Sequence, residues 1–238
     1  MNGVSEHESH GGLVAVVFDV DGTLLDTEAI YTAATNYVLE PFGHKLEWGL
    51  KQQMMGRPAI EACRIMVQQL NLPVSAEDIL KKRQEYEHRA WPHTTPMPGA
   101  ERLVRNLHAL GVPMAIATGS DIASLTAKSA AHQSWFSLFS AVVTSSDPML
   151  KRGKPAPDIF IRAAQLLNVP PEKFGQVLVV EDAVNGVEAA LAAGMRCLAV
   201  PDPNLLMLNK GVFARADQLL STLEEFDASF WGLPSLPL

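Results

Sequence analysis

Acidic residues fall in two close pairs in this chain, Asp19 with Asp21 and Glu181 with Asp182, and each pair directly follows a short apolar run, 13–18 and 177–180. Thr118-Gly119-Ser120 follows a third run, 113–117, and brings two hydroxyls. Carboxylates crowded together without a cation repel one another, so four of them at one place imply a bound divalent ion. Oxygen donors with neither His nor Cys beside them select magnesium over zinc.

That chemistry requires the apolar runs to be neighbouring strands. Runs at 13–18, 113–117, 141–143, 177–180 and 197–200 are apolar or β-branched, and each stops at small or acidic residues. Alanine-rich helical stretches lie near 100–110, 122–132, 157–167 and 183–193, with Gly111 and Gly194 placed as C-terminal stops. Strands alternating with helices give an α/β fold, a parallel sheet covered on both faces. Ligands of such sheets bind beyond the carboxyl ends of the strands, where Asp19, Asp21, Thr118, Ser120, Glu181 and Asp182 all fall.

One stretch breaks the alternation. Residues 28–95 carry no strand run, while 29–39, 60–70 and 76–90 space their apolar residues for helices. The expected organisation is a polar tail at 1–12, a discontinuous α/β core at 13–27 and 97–238, and a small all-α domain at 28–96 inserted after the first strand. The chain leaves the core at Asp26-Thr27 and returns near Pro96-Met97-Pro98-Gly99, a hinge-like passage. His7 and His10 in the tail lack the Cys or carboxylate spacing of a metal site.

Composition narrows the function from the other side. With 238 residues, 47% hydrophobic and 19% charged, the chain is too long and too apolar for a disordered segment or a small disulfide scaffold. A net charge of −7 repels nucleic-acid backbones and anionic membranes, so neither is an expected partner. Cys63 and Cys197 lie far apart with no paired spacing, which suits a reducing compartment. No apolar run reaches membrane-spanning length, and the N-terminal stretch has neither a basic start nor an apolar segment; a cytoplasmic location and a monomer are the expectations.

The motifs are more specific than the composition. Asp19-Val20-Asp21-Gly22-Thr23-Leu24-Leu25-Asp26-Thr27, Ala117-Thr118-Gly119-Ser120, Gly153-Lys154-Pro155-Ala156-Pro157-Asp158 and Glu181-Asp182-Ala183-Val184-Asn185-Gly186 resemble the four ordered motifs of haloacid-dehalogenase-superfamily phosphatases. The resemblance covers the chain from Leu13 onward and implies the superfamily's Rossmann-like core with a helical cap. It implies Asp19 as nucleophile, attacking phosphorus to give an aspartyl-phosphate that water hydrolyses. Asp21 would protonate the departing alkoxide and later take a proton from water. Thr118-Gly119-Ser120 and Lys154 would hold the phosphoryl oxygens, and Mg2+ would bind Asp19, the Asp21 carbonyl, Asp182 and Glu181, the last directly or through water. Electrostatics adds that Asp19, beside a metal and Lys154, should stay ionised, whereas Asp21, facing other carboxylates, should tend to hold a proton.

The substrate implied is a small phosphorylated metabolite. Arg57 in Met54-Met55-Gly56-Arg57 resembles a residue of the family's cap loop; it either contacts substrate or is a surface arginine at a helix start. Glu28 and Tyr31, where the helical insert departs, are further candidates to face substrate. Asp21 argues against the metal-free dehalogenases, which lack a second carboxylate in the first motif. A mutase resembling β-phosphoglucomutase shares all four motifs, but holding a second phosphate asks for more basic residues than Arg57. Met55-Gly56-Arg57, Phe136-Ser137-Leu138-Phe139, Asp147-Pro148 and Val200-Pro201-Asp202 point to the pseudouridine-5′-phosphatase and glycerol-3-phosphate phosphatase group. Ser145-Ser146 stands where that group is expected to carry Gly-Asp. A non-catalytic phosphometabolite-binding protein is the remaining alternative, although no motif residue is missing.

Overall fold

The structure is a computed structural model that describes residues 12–55, 57 and 59–235; the tail histidines His7 and His10 lie outside them. Strands are β1 (Ala15–Phe18), β2 (Leu25–Asp26), β3 (Thr95–Pro96), β4 (Met114–Ala117), β5 (Ala141–Val143), β6 (Val177–Glu181), β7 (Arg196–Ala199) and β8 (Gln218–Leu219). Six of them form one parallel sheet in the order β5-β4-β1-β6-β7-β8. The central strands β1, β4 and β6 are buried along their whole length, which is why they read as unbroken apolar runs.

Helices are α1 (Glu28–Leu39), α2 (Trp48–Met54), α3 (Ala59–Gln69), α4 (Ala76–Ala90), α5 (Ala100–Ala109), α6 (Ile122–Ser129), α7 (Gln133–Phe136), α8 (Asp158–Leu166), α9 (Val184–Ala192), α10 (Pro203–Leu208) and α11 (Lys210–Phe213). Alternate strand residues feed two cores. Ala15 and Val17 pack with Phe160 and Ala163 of α8, Ala190 of α9 and Phe213 of α11. Val16 and Phe18 pack on the other face with Leu103 and Leu107 of α5, Trp135 and Phe136 of α7, and Trp231. The α/β sandwich expected from the alternation is the fold that forms.

Between β2 and β3 the chain is helical, and α1 to α4 enclose a third cluster that includes Leu39, Leu50, Cys63, Met66 and Ile79. The insert's two connections are short antiparallel partners, Leu25 opposite Pro96 and Asp26 opposite Thr95. Several details depart from the sequence reading. The stretch expected as one helix at 122–132 is α6 followed by a 3-10 turn, Ala130–His132, and α7. Helix α2, the β2–β3 ladder and the C-terminal elements β8, α10 and α11 had no periodic signal.

Candidate active site

Register brings the chemistry-bearing residues level. Phe18 of β1 lies opposite Ile116 of β4 and Val180 of β6, so the next residues along the chains are Asp19, Ala117 and Glu181. The Asp19 amide donates to the Val180 carbonyl at 3.0 Å, fixing the point where β1 ends. Beyond it the chain turns tightly: the Gly22, Leu24 and Leu25 amides are all satisfied by carbonyls within the loop. Gly22 has φ of +84°, and a Cβ there would overlap the Asp182 carboxylate, so glycine lets the loop close over that group.

Lys154, on the loop before α8, joins the two acidic pairs. Its Nζ donates to Asp19 Oδ1 and Glu181 Oε1, each at 2.6 Å, and to the Ala117 carbonyl at 3.2 Å. Glu181 is fully buried, and its second oxygen, Oε2, accepts from the Asp182 and Ala183 amides at 3.0 and 3.1 Å. A helical glycine makes room for it, since a Cβ on Gly186 would overlap the Glu181 carboxyl. Asp182 accepts from the Thr23 hydroxyl at 3.4 Å.

Asp21 sits in a second network. Ser120 Oγ donates to its Oδ2 at 2.8 Å, and Thr118 Oγ1 lies 3.4 Å from the same oxygen. Thr118 also accepts from the Ser120 amide at 3.0 Å. The strongest partner of Asp21 is Lys128 of α6, which donates to Oδ1 at 2.5 Å. Sequence reasoning missed Lys128. The available signal was its place on α6: Leu125, Lys128 and Ser129 share the buried face at helical spacing, and a lysine there needs an internal anion.

These partners set the electrostatics of the metal-free site. Burial pushes Asp19 up to about 7, with Glu181 and Asp21 adding to the rise and Lys154 opposing it. Burial would raise Asp21 as well, but the Lys128 ammonium overcomes it and holds the carboxyl below its usual range, helped by Ser120. Asp182 is pushed well up by burial and by the charges of Glu181 and Asp19. For Lys154, burial works downward but Asp19 and Glu181 outweigh it and raise the ammonium above its usual value. In the metal-free site the Lys128 ammonium thus opposes the proton that the sequence reading expects on Asp21.

The acidic cluster fits a hard divalent cation. Asp19, Glu181 and Asp182 each present an oxygen within 4.8 Å of the others. The donors are all carboxylate oxygens, and burial first, with the repulsion of Glu181 and Asp19 added to it, is what raises Asp182. The Asp21 carboxylate stands outside that cluster, on Lys128.

The groups open onto a cavity of about 720 Å3 lined by Asp19, Asp21, Gly119, Ser120, Lys154, Glu181 and Asp182. Arg57 lines the same cavity, exposed, with its Nε donating to the Gln53 carbonyl at 2.7 Å. Lys151 and Arg152 line it as well. Tyr31 reaches it too and donates to Asp21 Oδ1 at 3.4 Å. Glu28 lines a neighbouring cavity of about 730 Å3 and pairs with Lys51 at 2.6 Å.

A family model described as haloacid dehalogenase-like hydrolase matches residues 13–194, and the chain belongs to that family. It is 43% identical over 226 residues to (DL)-glycerol-3-phosphatase 2 of Arabidopsis thaliana, covering 94% of this chain and 93% of the plant protein. It is 43% identical over 220 residues to a "Probable pseudouridine-5'-phosphatase" of Drosophila melanogaster, covering 92% and 94%. A crystal structure of a HAD family hydrolase from Deinococcus radiodurans, with bound phosphate and sodium, superposes with a TM-score of 0.74 at 27% identity, covering 92% and 95%. The protein is a phosphoric monoester hydrolase of this family.

Proposed function

We propose that the protein hydrolyses a small phosphorylated metabolite, glycerol 3-phosphate or pseudouridine 5′-phosphate, with Mg2+ and through a phosphoryl group carried on Asp19. The observation that carries the reading is the contact of Asp19 with Lys154 inside the cluster it forms with Glu181 and Asp182. The substrate choice rests on the names of the two relatives at 43% identity. Asp19, the Asp21 carbonyl and Asp182, with Glu181 directly or through water, would hold Mg2+, which would supply charge stabilisation to the phosphoryl oxygens.

The chain's own residues do the rest. Lys154, kept protonated by two carboxylates, offsets negative charge on the phosphoryl group during transfer. Thr118, Gly119 and Ser120 line the phosphate. An Asp19 carboxylate oxygen attacks phosphorus and the ester P–O bond breaks; the departing alkoxide takes a proton from Asp21, which Lys128 holds ionised in the metal-free site and which therefore first takes up a proton from water as the loaded site forms. Water then attacks the aspartyl-phosphate, gives a proton to Asp21, and displaces Asp19 as inorganic phosphate leaves. The helical segment 28–96 acts as a cap, closing over the cavity to exclude water and presenting Arg57 to the leaving group. We place the protein in the cytoplasm as a monomer; among the described residues no helix is long and apolar enough to cross a membrane.

The test is phosphate release from a panel holding glycerol 3-phosphate, pseudouridine 5′-phosphate and a hexose 1-phosphate, with and without Mg2+. Mg2+-dependent release from one of the first two is expected, and Asp19→Asn should abolish both turnover and phosphoenzyme. Conversion of the hexose 1-phosphate to its isomer without release would make the protein a mutase. No turnover of any ester by folded protein would leave only a binding function.

A further inference from the structure

The ion pair of Lys128 with Asp21 is not accounted for by phosphate or metal binding. Lys128 is 1% exposed, a rare state for a lysine, and its Nζ donates to Asp21 Oδ1, to Ser120 Oγ at 2.8 Å and to the Tyr31 hydroxyl at 3.2 Å. Three acceptors use all three N–H bonds of an ammonium. The same nitrogen lies 4.4 Å from the centre of the Trp91 ring and 5.5 Å from that of Tyr31, which themselves meet edge to face at 5.2 Å.

Tyr31 and Trp91 come from opposite ends of the helical insert. Tyr31 lies in α1 just after β2, and Trp91 opens the 3-10 turn that follows α4. The backbone of Lys128 is fastened to the same place, its carbonyl accepting from the buried Thr94 hydroxyl at 2.8 Å. One side chain of the α/β core thus meets both strands of the passage between core and insert, and its charge ends on Asp21.

From this juxtaposition we infer that Lys128 is a positioning residue, which fixes the Asp21 carboxylate for proton transfer and ties it to the base of the helical insert through Tyr31 and Trp91. The inference rests on the reading of Asp21 as the proton-transfer group and deepens it. Lys128 itself touches no phosphoryl oxygen in this scheme. Besides Asp21 it holds only the Ser120 hydroxyl among the groups around the phosphate, while Lys154, Thr118 and Gly119 are left in place, so its removal lowers kcat far more than it changes KM.

A double-mutant cycle on Lys128→Met and Asp21→Asn tests this, with steady-state kinetics on glycerol 3-phosphate and the phosphoenzyme burst with p-nitrophenyl phosphate. Lys128→Met should lower kcat by roughly 10- to 100-fold, the scale expected of a misplaced catalytic group, with KM within about twofold. In the Asp21→Asn background the same change should alter the burst rate by less than about twofold. A further tenfold loss there, or a Lys128→Met enzyme with unchanged kcat, overturns the inference. Lys128→Met leaves a buried carboxylate unpaired and Asp21→Asn a buried ammonium, whereas the double variant removes both charges, so the double variant set against the wild type reads even where a single variant folds poorly. Asp21→Asn turning over at the wild-type rate would overturn the reading of Asp21 itself, a result distinct from additivity in the cycle.

Discussion

Glu181 shows how tightly single residues are fitted at this sheet mouth. Its carboxylate is held by Lys154 on one oxygen and by two backbone amides on the other, so it cannot step aside. A methyl group on Gly186 would overlap it. Gly186→Ala is therefore expected to destabilise the fold by about 1–3 kcal/mol, the range for forced overpacking, and to raise the Mg2+ concentration needed for half-maximal activity. Gly175, with open space where its Cβ would be, provides the control: Gly175→Ala should melt like the parent. Equal melting of the two variants would show that Glu181 is free to move. At this scale the sequence was legible where a residue type recurs beside a strand end: Asp19, Asp21, Lys154, Glu181 and Asp182 all line one cavity, and Thr118, fully buried, lies behind it against Asp21. Lys128 was not, because a lysine inside an alanine-rich helix looks like any solvated one until the helix face is known. Its effect on Asp21 was lost with it.

Elements were readable when they buried a continuous surface and obscure when they did not. The strands β1, β4 and β6 are buried on both faces and leave an apolar run; β2 and β3 are two residues each and leave nothing. Strand order was not legible, since register between β1 and β6 comes from packing between residues far apart in the chain. Helices α1, α3 and α4 were visible from their spacing, and their separate apolar cluster gives the proposed cap a way to be tested alone. Met66 in α3 is fully buried within that cluster. Met66→Ala should cost about 2–5 kcal/mol, the usual range for truncating a buried methionine. If segment 28–96 is its own unit, the loss falls there: limited proteolysis should cut within the insert first, leaving the α/β core intact, while kcat/KM falls. Uniform digestion of the whole chain would show that insert and core unfold together.

Over the whole molecule the charge is −7, yet the cavity wall carries Arg57, Lys151, Arg152 and Lys154 beside the acidic cluster. A phosphate ester thus meets local cations within a chain whose overall field repels it, and a bound cation would add to them. The acidic cluster also couples metal binding to stability. Asp19 is raised to about 7 and Asp182 is raised well above its ordinary value, so the metal-free folded state binds more protons there than the unfolded chain does. Such groups favour folding fully below about pH 4, the unfolded carboxylate range, and that contribution is lost as pH rises through 7. The carboxylates that are lowered instead, among them Asp21, Asp147 and Asp158, change at or below their ordinary range and leave the interval from 4 to 7 to the raised pair. Metal-free protein should therefore melt at lower temperature at pH 8 than at pH 5.5. Mg2+ binds the ionised carboxylates, so its stabilisation should grow over the same interval, reaching about 2.7 kcal/mol at a hundredfold excess over Kd. For a chain of this size that corresponds to a rise of roughly 5–10 °C at pH 8. Melting curves in chelator and in excess Mg2+ at the two pH values measure both quantities. An identical Mg2+ effect at pH 5.5 and pH 8 would mean that the cation does not bind at Asp19 and Asp182.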